Sequence, residues 1–456
     1  LPLVQARAVH TAAVSSRLCV RARGCYKPCV DEGPKPVRSA AFRIARNAAS
    51  LLLGNAAGEL LASYALVLTA VSLGPAGFGT LSEAQAFMEP FESLAALGLG
   101  SVAVTVAARR SGCDGELRGT VWGIRCVSAV IGALLGLGVA FATGRGHLWP
   151  LLLTFSAGML FTPISQVSNL PYQYNQTVHK RIAVPFLVSA LKLAATYAAL
   201  SLLNAPLGYQ LAALVATISA ALLQRAWARR DYPDALRFDA ELARHLLRLG
   251  WPAAALEFIV SCYSRASYFL LHRSGPTIQG EFAAADRLTR PVLALGAALF
   301  VSSLPTIAQL AARREFAQLM AAYKQTILRV TLGLCPILAG AWYLAAWLLG
   351  KFAPAYAASI WPFRILMLGT FFMFMNQLSS AFIMALGQFR VIMGVALINL
   401  VVYLSLAPWL IEQHGASGAA LATTVMEGVN TLMQLVVVYV LLRSARADAQ
   451  SGKLSA

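Results

Sequence analysis

Charged residues are scarce in this sequence: only 12% of its 456 residues are Asp, Glu, Lys or Arg, and the acids number just 19. A soluble chain carries about 25% charge, so a water-exposed globular surface is excluded. The cysteines number seven, an odd count that argues against a disulfide framework. Cys25 and Cys29, with Cys19 upstream, have no histidine or fourth thiolate nearby. A tetrahedral set stays incomplete, and no metal site is expected. Also missing are a glycine-rich phosphate loop, HExxH, GxSxG and the acidic nucleotide-sugar motifs. With no catalytic signature, neither an enzyme nor a cofactor is expected.

What the sequence has in abundance is apolar length. Hydrophobic residues make up 58% of the chain and the mean hydropathy is +0.65. From Asn47 to the C-terminus, apolar stretches recur that each reach the ~20 residues needed to cross a bilayer core. A backbone in lipid must satisfy its own polar groups, and alternating barrel-type segments are absent. The expectation is an all-α polytopic membrane protein. Twelve spans are placed at 47–73, 84–107, 119–143, 148–169, 182–203, 207–227, 247–271, 282–309, 325–350, 360–387, 390–411 and 417–443.

The net charge of +18 is unevenly placed. The N-terminal tail holds nine basic residues up to Arg46 against Asp31 and Glu32. The only aromatics among this charge are Tyr26 and Phe42, which is not the aromatic interleaving of a nucleic-acid surface, so nucleic acid is not an expected partner. The tail also has no apolar h-region and is not read as a signal peptide. One set of alternate loops carries Arg109, Arg110 and Arg118, then Lys180 and Arg181, then Arg225 to Arg248, then Arg313, Arg314 and Lys324. The opposite set carries only Arg145, Arg273 and Lys351. Basic loops stay cytoplasmic, so both termini are expected in the cytoplasm.

The longest internal loop is charged and contains Tyr232 and Pro233. The expected organisation is a disordered basic tail over 1–41, a six-helix lobe over 42–227, a cytoplasmic linker over 228–246, a second six-helix lobe over 247–443 and a short tail over 444–456. Traces of repetition follow this division. Gly74-Pro75 with Gly77-Phe78-Gly79 resembles Gly275-Pro276 with Gly280-Glu281-Phe282, and Ala212–Thr217 resembles Ala419–Thr424. Six-helix halves starting on the same side imply parallel repeats about an axis along the membrane normal, with a central cavity.

The residues most informative about function are charges inside the spans. A charge at the bilayer centre costs ~2.5–3.5 kcal/mol even on the lenient insertion scale. The acids are Glu59, Glu89, Glu92, Glu257, Asp286 and Glu427; the bases are Arg125, Lys192, Arg265, Arg287 and Arg290. They either pair with one another to hold helices together or line a wet cavity. Asp286 and Arg290 are spaced i, i+4, which makes a local pair easy, and Arg125 and Lys192 have stems long enough to snorkel. Arg265, Arg287 and Arg290 are the candidate substrate-binding residues, because a guanidinium donates paired bonds to phosphate and stays charged. Glu59, Glu257, Glu89, Glu92 and Glu427 are candidates for proton or sodium coupling.

The order of motifs along the chain resembles the Wzx-type polysaccharide flippases of the multidrug/oligosaccharidyl-lipid/polysaccharide exporter superfamily, to which MATE-like transporters belong. The residues that carry the resemblance are Arg46-Asn47 through Gly54-Asn55, Ser72–Gly79, Leu247–Pro252, Tyr263-Ser264-Arg265, Phe282–Leu288 and Ala385–Arg390. The second span and its approach, with Glu83, Glu89, Pro90 and Glu92, are unusually acidic and depart from that pattern. The resemblance implies alternating access by two lobes and an undecaprenyl-diphosphate-linked oligosaccharide of O-antigen or exopolysaccharide biosynthesis as cargo. Its implied partners are the bilayer, a polysaccharide polymerase and chain-length machinery. Two other readings remain open here: a cation-coupled multidrug exporter of the same fold, and a membrane-embedded glycan polymerase or ligase.

Overall fold

The computed structural model describes residues 37–107, 114–175, 183–233, 235–290, 292–293, 316–386 and 388–450. The cysteines of the tail, Cys19, Cys25 and Cys29, lie outside them. No strand occurs among the described residues. The helices are α1 (Val37–Ala96), α2 (Leu99–Ala107), α3 (Asp114–Ala142), α4 (Trp149–Tyr174), α5 (Ala183–Leu202), α6 (Pro206–Asp231), α7 (Ala240–Leu271), α8 (276–290), α9 (Phe316–Phe352), α10 (Ile360–Ala385) and α11 (Phe389–Gln450). Nine stretches among the described residues are long and apolar enough to cross a membrane. Two of the nine each run across parts of two expected spans, because α1 and α11 continue past a kink. The expected span over 282–309 is described only in its first part.

Both kinks are single glycines. Gly74 has φ 64° inside α1 and Gly415 has φ 54° inside α11. A left-handed residue breaks the helical hydrogen-bond ladder, and only glycine adopts that conformation without a steric penalty. Pro75 then starts the second segment of α1, where its missing N–H is no loss. The expected loop over 74–83 therefore does not form: helix resumes at Pro75 and carries Glu83, Glu89 and Glu92 on one continuous segment. The expected span over 84–107 is interrupted instead at Leu97 (φ 52°) and Gly98 (φ 58°).

The chain divides into two compact units. One comprises the described residues up to Leu73 together with Thr80–Ser261. Its core joins Leu99 and Ala103 of α2, Leu117 and Val121 of α3, Val167 and Leu170 of α4, and Leu242 and Leu246 of α7. The break at Gly98 is fitted to α7, where a Cβ on Gly98 would come 2.7 Å from the Cβ of Ala253. The connection from α6 to α7 is bonded to α3: the Arg237 N–H donates to the Gly115 carbonyl at 3.1 Å and the Asp239 N–H to Thr120 Oγ1 at 3.0 Å. Asp239 then caps α7, its Oδ1 accepting the N–H of Glu241 at 2.8 Å and of Leu242 at 3.1 Å.

The other unit comprises Gly74–Gly79 and the chain from Cys262 onward. Its core sets Leu319 and Tyr323 of α9 against Leu378, Phe382 and Ile383 of α10 and Val438 and Leu442 of α11. The Gly74–Gly79 turn packs on the start of α8 through glycine. A Cβ on Gly79 would overlap the carbonyl of Pro276, and one on Gly280 would overlap the carbonyl of Pro75.

Candidate functional site

In the unit from Cys262 onward, α7 and α8 build a cationic cluster. Arg265 and Tyr268 lie about one turn apart on α7, and Asp286, Arg287 and Arg290 follow each other on one stretch of α8. Asp286 Oδ2 is the hub. It accepts the Tyr268 hydroxyl at 3.0 Å, Arg290 Nη2 at 3.4 Å and Arg265 Nη1 at 3.5 Å. The two arginine contacts are long beside the ~2.7–2.9 Å of a tight charge-assisted bond. Arg287 points elsewhere, its guanidinium 5.1 Å from the centroid of the Phe78 ring. Phe78 is fully buried and braced edge-on by Tyr356, with centroids 6.3 Å apart. Among the described contacts, three arginines thus lie around one carboxylate and one aromatic face.

The sequence separation of these groups is short, so the structure brings together all three candidate substrate-binding residues. Arg290 is the most open, with 45% of its side-chain surface exposed against 12% for Arg265. Tyr268 was not singled out by its sequence. It is buried, held edge-on by Phe282 at 5.3 Å, and its backbone carbonyl accepts Gln279 Nε2 at 2.9 Å.

In the unit ending at Ser261, the ionisable residues form a second and predominantly acidic cluster. Arg125 on α3 experiences the charges of Glu92 on α1 and Glu257 on α7. Glu92 in turn experiences Glu89 and Lys192. Glu92, Lys192 and Glu257 are exposed, while Arg125 is buried. Snorkelling is not what Arg125 does: its Nη1 donates to the carbonyl of Ala96, the last residue of α1. Ser128 Oγ donates to the neighbouring Ala95 carbonyl at 2.7 Å. The interruption at Leu97 leaves carbonyls without intrahelical donors, and a cation at a helix C-terminus also complements its dipole. The position of Arg125 follows from a break that its sequence did not announce.

Glu427 stands apart from both clusters. It is buried on α11 and its Oε2 accepts Asn376 Nδ2 at 2.6 Å and Asn430 Nδ2 at 3.3 Å. Gln434 Nε2 extends the chain to Asn430 Oδ1 at 2.9 Å, and Ser380 Oγ donates to Gln434 Oε1 at 2.9 Å. Spacings of three and four residues put Glu427, Asn430 and Gln434 on one helical face. That spacing was the available signal for this network. Glu59 lies in α1, and its side chain is outside the described residues.

One charged pair was missed entirely. Arg145 follows α3, and its Nη1 donates to Glu83 Oε1, with 10% and 4% of the respective side-chain surfaces exposed. Its guanidinium also lies 5.0 Å from the Phe87 ring centroid. Burial pushes the Arg145 guanidinium below its ordinary range, and the Glu83 charge opposes that shift. Arg145 is thus a packed partner of Glu83 rather than a loop charge.

The family model for polysaccharide biosynthesis proteins matches residues 44–311. That match covers more than half of the sequence. The chain belongs to this family. No curated protein matches the sequence significantly. Among solved structures, an inward-facing multidrug-resistance MATE transporter of the MOP superfamily superposes with a TM-score of 0.65 at 15% identity, covering 90% of this chain and 99% of that one. The lipid II flippase MurJ in an inward closed conformation gives 0.66 at 16% identity, covering 84% and 86%. A MOP superfamily transporter from Pyrococcus furiosus, described as having a binding pocket of reverse polarity, gives 0.63 at 14% identity, covering 89% and 96%. The family member thus has a MATE-like fold and is a multi-pass membrane protein. Its family and fold neighbours are transporters and flippases rather than enzymes.

Proposed function

We propose that this member of the polysaccharide biosynthesis family flips an undecaprenyl-diphosphate-linked oligosaccharide across the bacterial inner membrane by alternating access, for O-antigen or exopolysaccharide assembly. The observation that carries the reading is the Asp286 hub. Arg265 and Arg290 converge on one carboxylate, and Arg287 lies beside them on α8. A drug cation would be repelled by this cluster; a diphosphate would find forked donors there. A proton or sodium gradient drives the cycle through the intramembrane carboxylates, and a polymerase with its chain-length machinery takes the delivered unit.

The test is flipping of an undecaprenyl-diphosphate-linked oligosaccharide in proteoliposomes. Removing one partner of a desolvated charge pair costs ~2–5 kcal/mol, so Arg265→Ala and Arg287→Ala should each lower cargo affinity by more than tenfold at unchanged protein levels. Wild-type flipping in both single variants and in the double variant overturns the assignment. Export of organic cations without flipping of lipid-linked sugar favours the drug-exporter reading instead.

A further inference from the structure

Where α3 begins and α4 and α6 end lies a cavity of about 400 Å³. Its lining includes Arg118 and Trp122 of α3, Arg225 and Arg229 of α6, Ser168 of α4 and Pro233 of the connection to α7. Three arginines line one cavity, and no acid is among the residues that line it. The charges that act on Arg225 are those of Arg229 and Arg118, both of the same sign. The nearby Asp231 carboxylate already accepts the Tyr172 hydroxyl at 2.7 Å.

The donors that line the cavity are also incompletely used. Arg118 is 5% exposed, and its Nη1 donates to the Tyr232 carbonyl at 3.1 Å. That bond fixes the guanidinium, yet Arg118 Nε is buried and has no acceptor. Trp122 Nε1 is likewise buried without an acceptor. A buried donor left unsatisfied costs ~1–3 kcal/mol, more when charged. The indole ring also orients a neighbour, since Arg225 lies over it at 4.9 Å from the centroid, which sets the direction of that guanidinium. Two residues of the cavity wall thus each carry a buried donor without an acceptor, in a lining that holds three arginines.

We propose that this cavity binds a phosphate group, held by Arg118, Arg225 and Arg229 with Trp122 Nε1 as a neutral donor. Phosphate fits because it accepts several N–H bonds at once and matches the guanidinium fork. The cavity sits at the arginine-rich helix ends, where basic pockets between membrane helices take up phospholipid headgroups. The phosphate comes from an anionic lipid of the surrounding leaflet or from a soluble phosphate ester. The site is separate from Arg265, Arg287 and Arg290 and stands whether or not those residues hold a lipid-linked cargo.

The test uses the full chain, purified and followed by thermal unfolding in two arms. In one arm it is placed in nanodiscs of phosphatidylcholine with or without phosphatidylglycerol; in the other, in neutral detergent with or without pyrophosphate. Wild type should be stabilised in at least one arm, and Arg225→Gln with Arg229→Gln should weaken the response about tenfold, as expected for lost charge-assisted bonds. Trp122→Phe keeps an aromatic ring under Arg225 while losing the indole N–H and the five-membered ring that bears it, so it should weaken the response less than the double variant while leaving the unliganded protein folded. Stabilisation by phosphatidylglycerol alone assigns the phosphate to a lipid headgroup, and stabilisation by pyrophosphate that the double variant loses assigns it to a soluble phosphate compound. No response in either arm, or a double variant that responds like wild type, overturns the proposal. Cargo bound at the other arginines contributes equally to all these proteins and does not imitate the result.

Discussion

Gly79 and Gly280 are reciprocal partners: each lacks the Cβ that would strike the carbonyl of the proline heading the opposite helix, Pro276 and Pro75 respectively. Both prolines follow a left-handed glycine, Gly74 at φ 64° and Gly275 at φ 95°. The two turns are therefore the same device, met face to face, and the backbone atoms that would be struck have no rotamer by which to yield. Gly79→Ala or Gly280→Ala should destabilise the protein by ~1–3 kcal/mol, the usual range for overpacking. A lowered unfolding temperature in detergent checks this. A Gly79→Ala variant as stable as wild type would mean that the turns separate at little cost.

Coupling is expected to depend on carboxylates without a tight cationic partner. Glu257 is exposed on α7 and Glu427 is buried among neutral amides, so each can exchange a proton or cation without first breaking a short salt bridge. Glu257→Gln or Glu427→Gln should still bind lipid-linked sugar while transport falls to its rate without a gradient. Flipping assayed with imposed proton or sodium gradients separates the cases. If both variants keep gradient dependence, coupling belongs to Glu59, Glu89 or Glu92, or to no carboxylate.

Orientation gains from the burial of Arg145. With that residue paired to Glu83, the sparse side of the charge asymmetry retains only Arg273 and Lys351 among the three basic residues assigned there. Both termini are expected in the cytoplasm. A C-terminal alkaline phosphatase fusion should be inactive and a C-terminal fluorescent fusion bright. The reverse pattern would require an odd number of spans.

Helicity and span positions were legible because apolar length in lipid leaves the backbone few choices. The turns were harder to read. Gly74-Pro75 signals a break, and the sequence suggested a loop over 74–83, but one left-handed residue suffices to redirect the chain. The break at Leu97-Gly98 was hidden inside an apolar run, and with it the reason for Arg125. At the cationic cluster, the arginines were visible as charges in a hydrophobic context, and the i, i+4 pair of Asp286 and Arg290 followed from helical spacing. That Asp286 also serves Arg265 and Tyr268 depends on how α7 meets α8, which no spacing along one helix encodes. The amide partners of Glu427 escaped notice because neutral side chains leave no mark in a survey of charge.

An arginine cluster that already holds a carboxylate carries its own competitor. Asp286 occupies, at long range, the donors of Arg265 and Arg290 that an incoming anion would use. A small free anion, able to reach only one or two guanidinium edges, gains little by displacing an aspartate tethered at high effective concentration. A ligand with two linked phosphates can engage several edges at once and win that exchange. On the proposed diphosphate reading, Asp286 would set a threshold that small single anions do not pass and multivalent anions do.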